Sequence, residues 1–268
     1  MHSSMYYLDL HQLKNSNSNH KPMKHLICFI LGLFALTNAN AQQVDDIINT
    51  YYETIGGKKW EAVNGIRMTA NVDQGGMKIP VEVVSMRDGR NYTQITLMGN
   101  TMTMAAFDGK TSWTTNYMTM QAEESTSDDS ENARRTSKEF PNGLINYKSH
   151  GYTATLLGTE KIDGAECHKI KLDKKTVLVD GKEVPSVEFY YIDKENNVPV
   201  MTETEISSGE MKGKIAQTKF SDYQEVNGVM FAFSNTSGIK DGQSQTMQFD
   251  KVEVNPQVDE TKFVFPKK

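Results

Sequence analysis

From Gly65 to the C-terminus the apolar residues keep a period of two, and no apolar helical stripe interrupts them. Ile66, Met68, Ala70 and Val72 alternate with polar residues, then Ile79, Val81 and Val83 do the same. The pattern continues through Tyr92–Leu97, Met102–Phe107 and Trp113–Met120. It resumes in Tyr152–Leu157, Ala165–Leu172, Val187–Ile192, Val198–Ile206, Lys214–Tyr223, Val229–Thr236 and Gln245–Val252. Turn signals punctuate it: Asp88-Gly89, Asp108-Gly109, Asp163-Gly164, Asp180-Gly181, Asn227-Gly228 and Asp241-Gly242. Such dipeptides favour tight hairpins. Parallel strands need crossover connections, usually helical, and none is available, so the sheet is antiparallel. The expected fold is mainly β, a large curled antiparallel sheet forming an incomplete barrel of about 11 strands.

Two segments stand outside the alternation. Val44, Ile47, Ile48, Tyr51, Tyr52 and Ile55 recur at helical spacing, which predicts an amphipathic N-terminal helix ended by Gly56-Gly57. Residues 122–140, AEESTSDDSENARRTSKEF, are polar and of mixed charge. A short helix starting near Ser127 or Asp128 fits there, but it has no apolar face to bury. The segment reads as a solvated loop, or as a lid over the concave face of the sheet.

Residues 23–41 have a basic start, an apolar core from Leu26 to Leu36 and an Ala39-Asn40-Ala41 end. This is the pattern of a secretory signal cleaved after Ala41, with Met23 the expected start and 1–22 an upstream extension. The expected product is one exported domain, 42–268, that does not span a membrane. It keeps 26 basic and 33 acidic residues, a net charge of −7, which argues against nucleic acid as a partner. His150 and His168 are its only histidines and Cys167 its only cysteine, so it has neither an internal disulfide nor a histidine–cysteine zinc set. No metal or cofactor is expected.

The stretch Phe107-Asp108-Gly109-Lys110-Thr111-Ser112-Trp113 ends like a phosphate-binding loop, but Met104 stands where that motif needs a glycine. Asp193, Glu195 and Asn197 start like a calcium loop, but Val198 holds its glycine position. Asp108, Asp193 and Asp222 would be the carboxylates of a hydrolase, yet each sits where a turn already calls for Asp. The reading is of a protein that is not an enzyme.

Methionine is a poor strand former, yet the first half places many on strands. Its flexible side chain suits an apolar cavity for variable guests such as acyl chains, and equally a filled core. The candidate cavity-lining residues are Met68, Val83, Ile95, Leu97, Met102, Met104, Trp113, Met118, Met120 and Tyr191. Tyr190 and Tyr191 point to opposite faces, so only one of them can face inward.

The FDGKTSW hairpin, followed by Asn116 and Gln121, resembles the family of LolA-type periplasmic lipoprotein carriers. So does the closing run from Phe249 to Pro266, with its Asn255, Val258-Asp259 and Phe263-Val264-Phe265-Pro266. The resemblance implies a helix-capped half-barrel in the periplasm, without a cofactor, that takes lipid or lipoprotein acyl chains and works in outer-membrane lipoprotein sorting as a monomer. The lid segment here is more polar than that family's, and Asp173–Pro185 is additional. The alternative is a cell-envelope structural protein that meets protein partners through its outer face or edge.

Overall fold

The computed structural model describes residues 41–74 and 77–266. The upstream extension and leader, 1–40, lie outside the described residues. Helix α1 (41–54) buries the stripe read from its sequence: Val44, Ile48, Tyr51 and Ile55 are 5% exposed or less. Burying side chains of this size stabilises by about 1.5–3 kcal/mol each, so this one face anchors the helix. Gly56 ends it at φ 120°, where a Cβ would lie 2.7 Å from the Gly228 carbonyl oxygen. The Met230 amide donates to the Ile55 carbonyl at 2.9 Å, tying the helix end to a strand of the sheet.

The main sheet is antiparallel and not closed into a barrel. Its first half is β1 (Gly65–Gln74), β2 (Met77–Met86), β3 (Asn91–Leu97), β4 (Asn100–Phe107), β5 (Ser112–Thr115) and β6 (Ala122–Glu124). Its second half begins with β7 (Thr153–Ile162) and β8 (Ala165–Asp173), and β9 (Val177–Val179) and β10 (Lys182–Val184) form a separate hairpin. Then follow β11 (Val187–Asp193), β12 (Pro199–Glu205), β13 (Ile215–Val226), β14 (Val229–Ile239) and β15 (Ser244–Val254). The thirteen strands of the main sheet run in the order β6-β5-β4-β3-β2-β1-β15-β14-β13-β12-β11-β8-β7. The first and last strands meet in the middle, Met68 opposite Val252, and the edges are β6 and β7.

Directly opposed residues share a face. Met68 opposes Val83, and Tyr190 opposes Ile170 and Thr202. The inner face carries Ile66, Ala70, Ile170, Leu172, Tyr190, Phe231, Phe233 and Phe249, packed with α1 and with Leu144, Ile145, Tyr147 and Tyr152. Val84 lies on the outer face with Tyr92, Ala106 and Trp113, where the C-terminal segment returns and seats Phe263 on them. The Trp113 indole N–H donates to the Phe263 carbonyl at 2.9 Å, and the Tyr92 and Phe263 rings meet edge-on at 5.1 Å. Cys167, Tyr191 and Met201 form a small core of their own.

The fold class matches the expectation, with more strands than expected: fifteen among the described residues. One extra strand comes from Trp113–Met120, which is broken rather than continuous. Asn116 accepts from the Met118 and Thr119 amides at 2.9 and 3.2 Å and turns the chain, so β5 ends at Thr115 and β6 starts at Ala122. The β9–β10 hairpin, around Asp180-Gly181, accounts for others. In FDGKTSW the Asp108 carboxylate accepts from the Lys110 and Thr111 amides at 2.8 and 2.7 Å, closing a hairpin turn.

Candidate functional site

A cavity of about 530 Å³ lies on the inner face. Val83 of β2 and Tyr190 of β11 both line it, although they stand six strand spacings apart in the sheet order. Laid flat, six spacings span roughly 29 Å. The sheet must therefore curl to bring them around one space. Its walls are Met68, Val83 and Met86 on one side and Tyr190, Phe220, Tyr223, Met230 and Phe231 on the other, with Ile55 and Trp60 at the helix end. Trp60 is fixed by its indole N–H to the Ile55 carbonyl at 2.9 Å and by edge contacts to Phe140 and Phe231.

The roof is helix α2 (Ser127–Thr136), which contributes Ala133 and Thr136, and the strap 137–142 that follows. Thr126 and Asp129 form a reciprocal capping box at its start. No residue of α2 is buried, so packing does not hold it. Polar bonds do. The Asn132 amide donates to the Leu178 carbonyl at 2.9 Å and its oxygen accepts the Leu178 amide at 2.7 Å, so the side chain pairs with β9 as a strand would. Asp128 accepts the Gly181 amide at 2.7 Å, and Arg135 grips Glu183 through two bonds of 2.8 and 2.9 Å. Arg135 and Thr176 hold the Glu183 carboxyl down to about 2. At the other end Gly89, at φ 96°, lets Ser137 approach: a Cβ there would lie 2.3 Å from the Ser137 Cβ.

Polar groups of the cavity lie in two places: Ser85, Arg90 and Asn91 around the β2–β3 turn, and a cluster where β11 meets the strap. Lys174 bridges Glu139 at 2.8 Å and Glu188 at 3.7 Å, and the Tyr152 hydroxyl donates to Glu139 at 2.5 Å. Burial pushes the Glu188 carboxyl up, with Lys174 opposing it, and pushes the Tyr190 hydroxyl well up. Tyr190 donates to Glu188 at 3.0 Å. Burial also takes Tyr51 up to about 12, where Asn142 donates to its oxygen at 2.8 Å. The lining contains no histidine, cysteine or lysine; its carboxylates are Glu139 and Glu188, each engaged by Lys174 and by a tyrosine hydroxyl. The arrangement can enclose an apolar guest and meet polar groups both at the β2–β3 turn and beside the strap.

The ten candidate lining residues do not come together. Met68 and Val83 line the cavity. Ile95 shares their face, opposite Val81, but lies beyond the lining, and Leu97 sits next to a hairpin tip. Met104 is buried as the extra residue where the β3–β4 register shifts. Met102, Trp113 and Met120 line a different hollow of about 330 Å³ beside the C-terminal segment, and Trp113 faces outward because Val84 and Ala106 in register with it do. Met118 is 95% exposed in the Asn116 turn. Tyr191 belongs to the Cys167 core and donates to Glu203 at 2.8 Å; its neighbour Tyr190 faces the cavity. Sequence reading missed Trp60, Phe140, Phe220, Tyr223, Met230 and Phe231. The aromatics on β13 and β14 carried a usable signal, since Phe231, Phe233 and their period-two partners mark one face, but nothing local says which face is concave.

Residues 144–265 match a family model described as "Uncharacterized protein", and no curated protein sequence matches the chain. Among solved structures, a DUF1329 family protein from Desulfovibrio piger superposes with a TM-score of 0.51 at 13% identity, covering 84% of this chain and 97% of that one. The two share a fold. An outer membrane lipoprotein-sorting protein domain from Vibrio parahaemolyticus gives 0.47 at 12% identity, covering 84% and 97%. A LolA superfamily protein from Nitrosomonas europaea gives 0.44 at 17% identity, covering 76% and 89%.

Proposed function

We propose that the protein is a non-enzymatic, exported binding protein that carries the acyl chains of a lipid or lipoprotein in the inner-face cavity, as part of lipoprotein sorting to the outer membrane. The observation that carries this reading is the cavity itself. Its volume falls in the ordinary range of ligand sites, methionines and aromatics make up much of its walls, and its roof helix α2 rests on polar bonds that can be broken without disrupting a core. No helix among the described residues is long and apolar enough to cross a membrane. A structural envelope protein would be expected to fill its interior, whereas this cavity and the methionines on its walls suit a guest of variable shape.

Native mass spectrometry of the gently purified protein, followed by titration with a fluorescent fatty acid, tests the reading. Bound lipid or saturable probe binding is expected, and Met68→Trp or Met230→Trp should fill the cavity and abolish it. No co-purified lipid together with no probe binding would sink the proposal, as would undiminished binding in both filled variants.

A further inference from the structure

Met98, Tyr117, Met118 and Met120 are 91%, 77%, 95% and 46% exposed, and Met77 is 51% exposed. These five include most of the large apolar side chains that the described residues leave in solvent. They come together through topology. In an antiparallel meander alternate tips share an end, so Met77 at the start of β2 falls at the same end of the sheet as the β3–β4 and β5–β6 connections. Trp113 is level with Ala106 and Ile95 with Met102, which places Tyr117 only about three residues, roughly 10 Å, behind the Met98 tip. The two hairpins lie roughly 10 Å apart across the sheet.

Folding does not account for these residues. Ten non-glycine residues among those described have positive φ. Eight are Asn or Asp, the types that tolerate the left-handed region. The other two are Met98 at 49° and Met120 at 54°. The chain thus uses the expected turn residues everywhere except in this patch, where it accepts backbone strain to present methionine. Breaking a local rule without a folding gain marks a functional position. Charge points the same way. The chain is 24% charged, yet Asn91–Phe107 and Thr111–Ala122 hold no charged residue at all. The exposed residues within the β3–β4 and β5–β6 tips besides the apolar ones include Asn100, Thr101, Thr119 and Gln121, neutral hydrogen-bonding groups, while charge begins at Lys78 beside Met77 and at Glu123, which accepts from the Asn116 side chain.

We infer that the β3–β4 and β5–β6 tips dock the protein on an uncharged, zwitterionic lipid bilayer surface. The tips are separate, narrow and staggered, a shape that enters a fluid interface and offers a protein partner no groove. Methionine inserts without a fixed shape, tyrosine sits at headgroup level, and the neutral amides and hydroxyls meet the headgroups. An acidic protein with no basic patch at these tips gains nothing from anionic lipid. This inference stands apart from the cavity reading, since it concerns a different end of the sheet.

Flotation with phosphatidylcholine vesicles tests it, with phosphatidylglycerol-containing vesicles for comparison. The purified protein should float with phosphatidylcholine, no less than with the mixed vesicles, and added salt should not release it. Met98→Asp with Met118→Asp should lower partitioning at least tenfold, while Leu157→Asp, an exposed site on edge strand β7, should not. Met98→Asn with Met120→Asn should raise the melting temperature, because Asn suits the left-handed turn, and still weaken flotation. The inference is overturned if the unaltered protein stays with the soluble fraction or the tip variants float as well as it does. It is also overturned if Leu157→Asp is equally damaging, or if the tip variants change only self-association in the absence of vesicles.

Discussion

Replacing Asn132 with Ala should open the cavity roof without unfolding the protein. Asn132 makes two hydrogen bonds to the Leu178 backbone, of 2.9 and 2.7 Å, both part-buried. Each such bond contributes a net 0.5–1.5 kcal/mol, so the pair holds α2 on the β9–β10 hairpin with about 2 kcal/mol. Alanine favours helix over asparagine by about half a kcal/mol, which keeps α2 itself formed and leaves the loss at the contact. The freed Leu178 groups can turn to water once the helix lifts, so the open state gains what the closed state loses. A change of about 2 kcal/mol raises the open population roughly 30-fold. The open state is reported by amide exchange in 127–136, which should speed up by that factor while exchange in β1, β14 and β15 holds steady. The melting temperature should fall little, because no α2 side chain is buried. Unchanged exchange in α2, or an equal acceleration in the central strands, would refute the view that helix α2 is held in place by polar bonds alone.

Other substitutions probe the supports of the site. Trp113→Phe keeps a ring on the outer face but strips the buried Phe263 carbonyl of its donor, at a cost of about 1–3 kcal/mol in chemical denaturation; an unaltered midpoint would show that the contact carries no stability. Gly89→Ala puts a Cβ 2.3 Å from the Ser137 Cβ at a φ of 96°, and should cost more than about 1 kcal/mol and loosen the strap, seen as faster exchange at 137–142. Glu188 titrates above the usual carboxylate range, so its folded form disfavours the charge, and that penalty is full at neutral pH and relieved as pH falls through the raised value. Glu188→Gln should therefore stabilise at pH 7 and lose its advantage in acid; a constant difference across that range would contradict the burial argument.

What the sequence made legible was whatever is local. The α1 stripe reached the core residue by residue, the Asp-Gly and Asn-Gly pairs landed on turns, and α2 began at Ser127 behind Thr126. What stayed hidden depends on parity or distance. Tyr190 and Tyr191 carry the same local signal, and only the curl of the sheet selects Tyr190 for the cavity. Trp113 looks like an interior aromatic until Phe263, 150 residues later, is found covering it from outside. Met118 and Met120 extend a strand-like alternation that Asn116 ends with a side-chain turn. The roof has no apolar signature because its partners are backbone groups about 46 residues away.

The order of the strands has a mechanical consequence. Because β1 pairs with β15, the seam of the sheet lies at its centre and its two free edges are β6 and β7. Those edges are consecutive in the chain, and residues 125–152 run directly from one to the other. The sheet is thus a bow and that segment its string. The string is slack rather than taut, since 28 residues fully extended would reach roughly 90 Å, and what fastens it is the burial of Leu144, Ile145, Tyr147 and Tyr152 in the core. A single proteolytic cut in 137–143 would therefore leave every strand pairing intact and part helix α2 from that anchor.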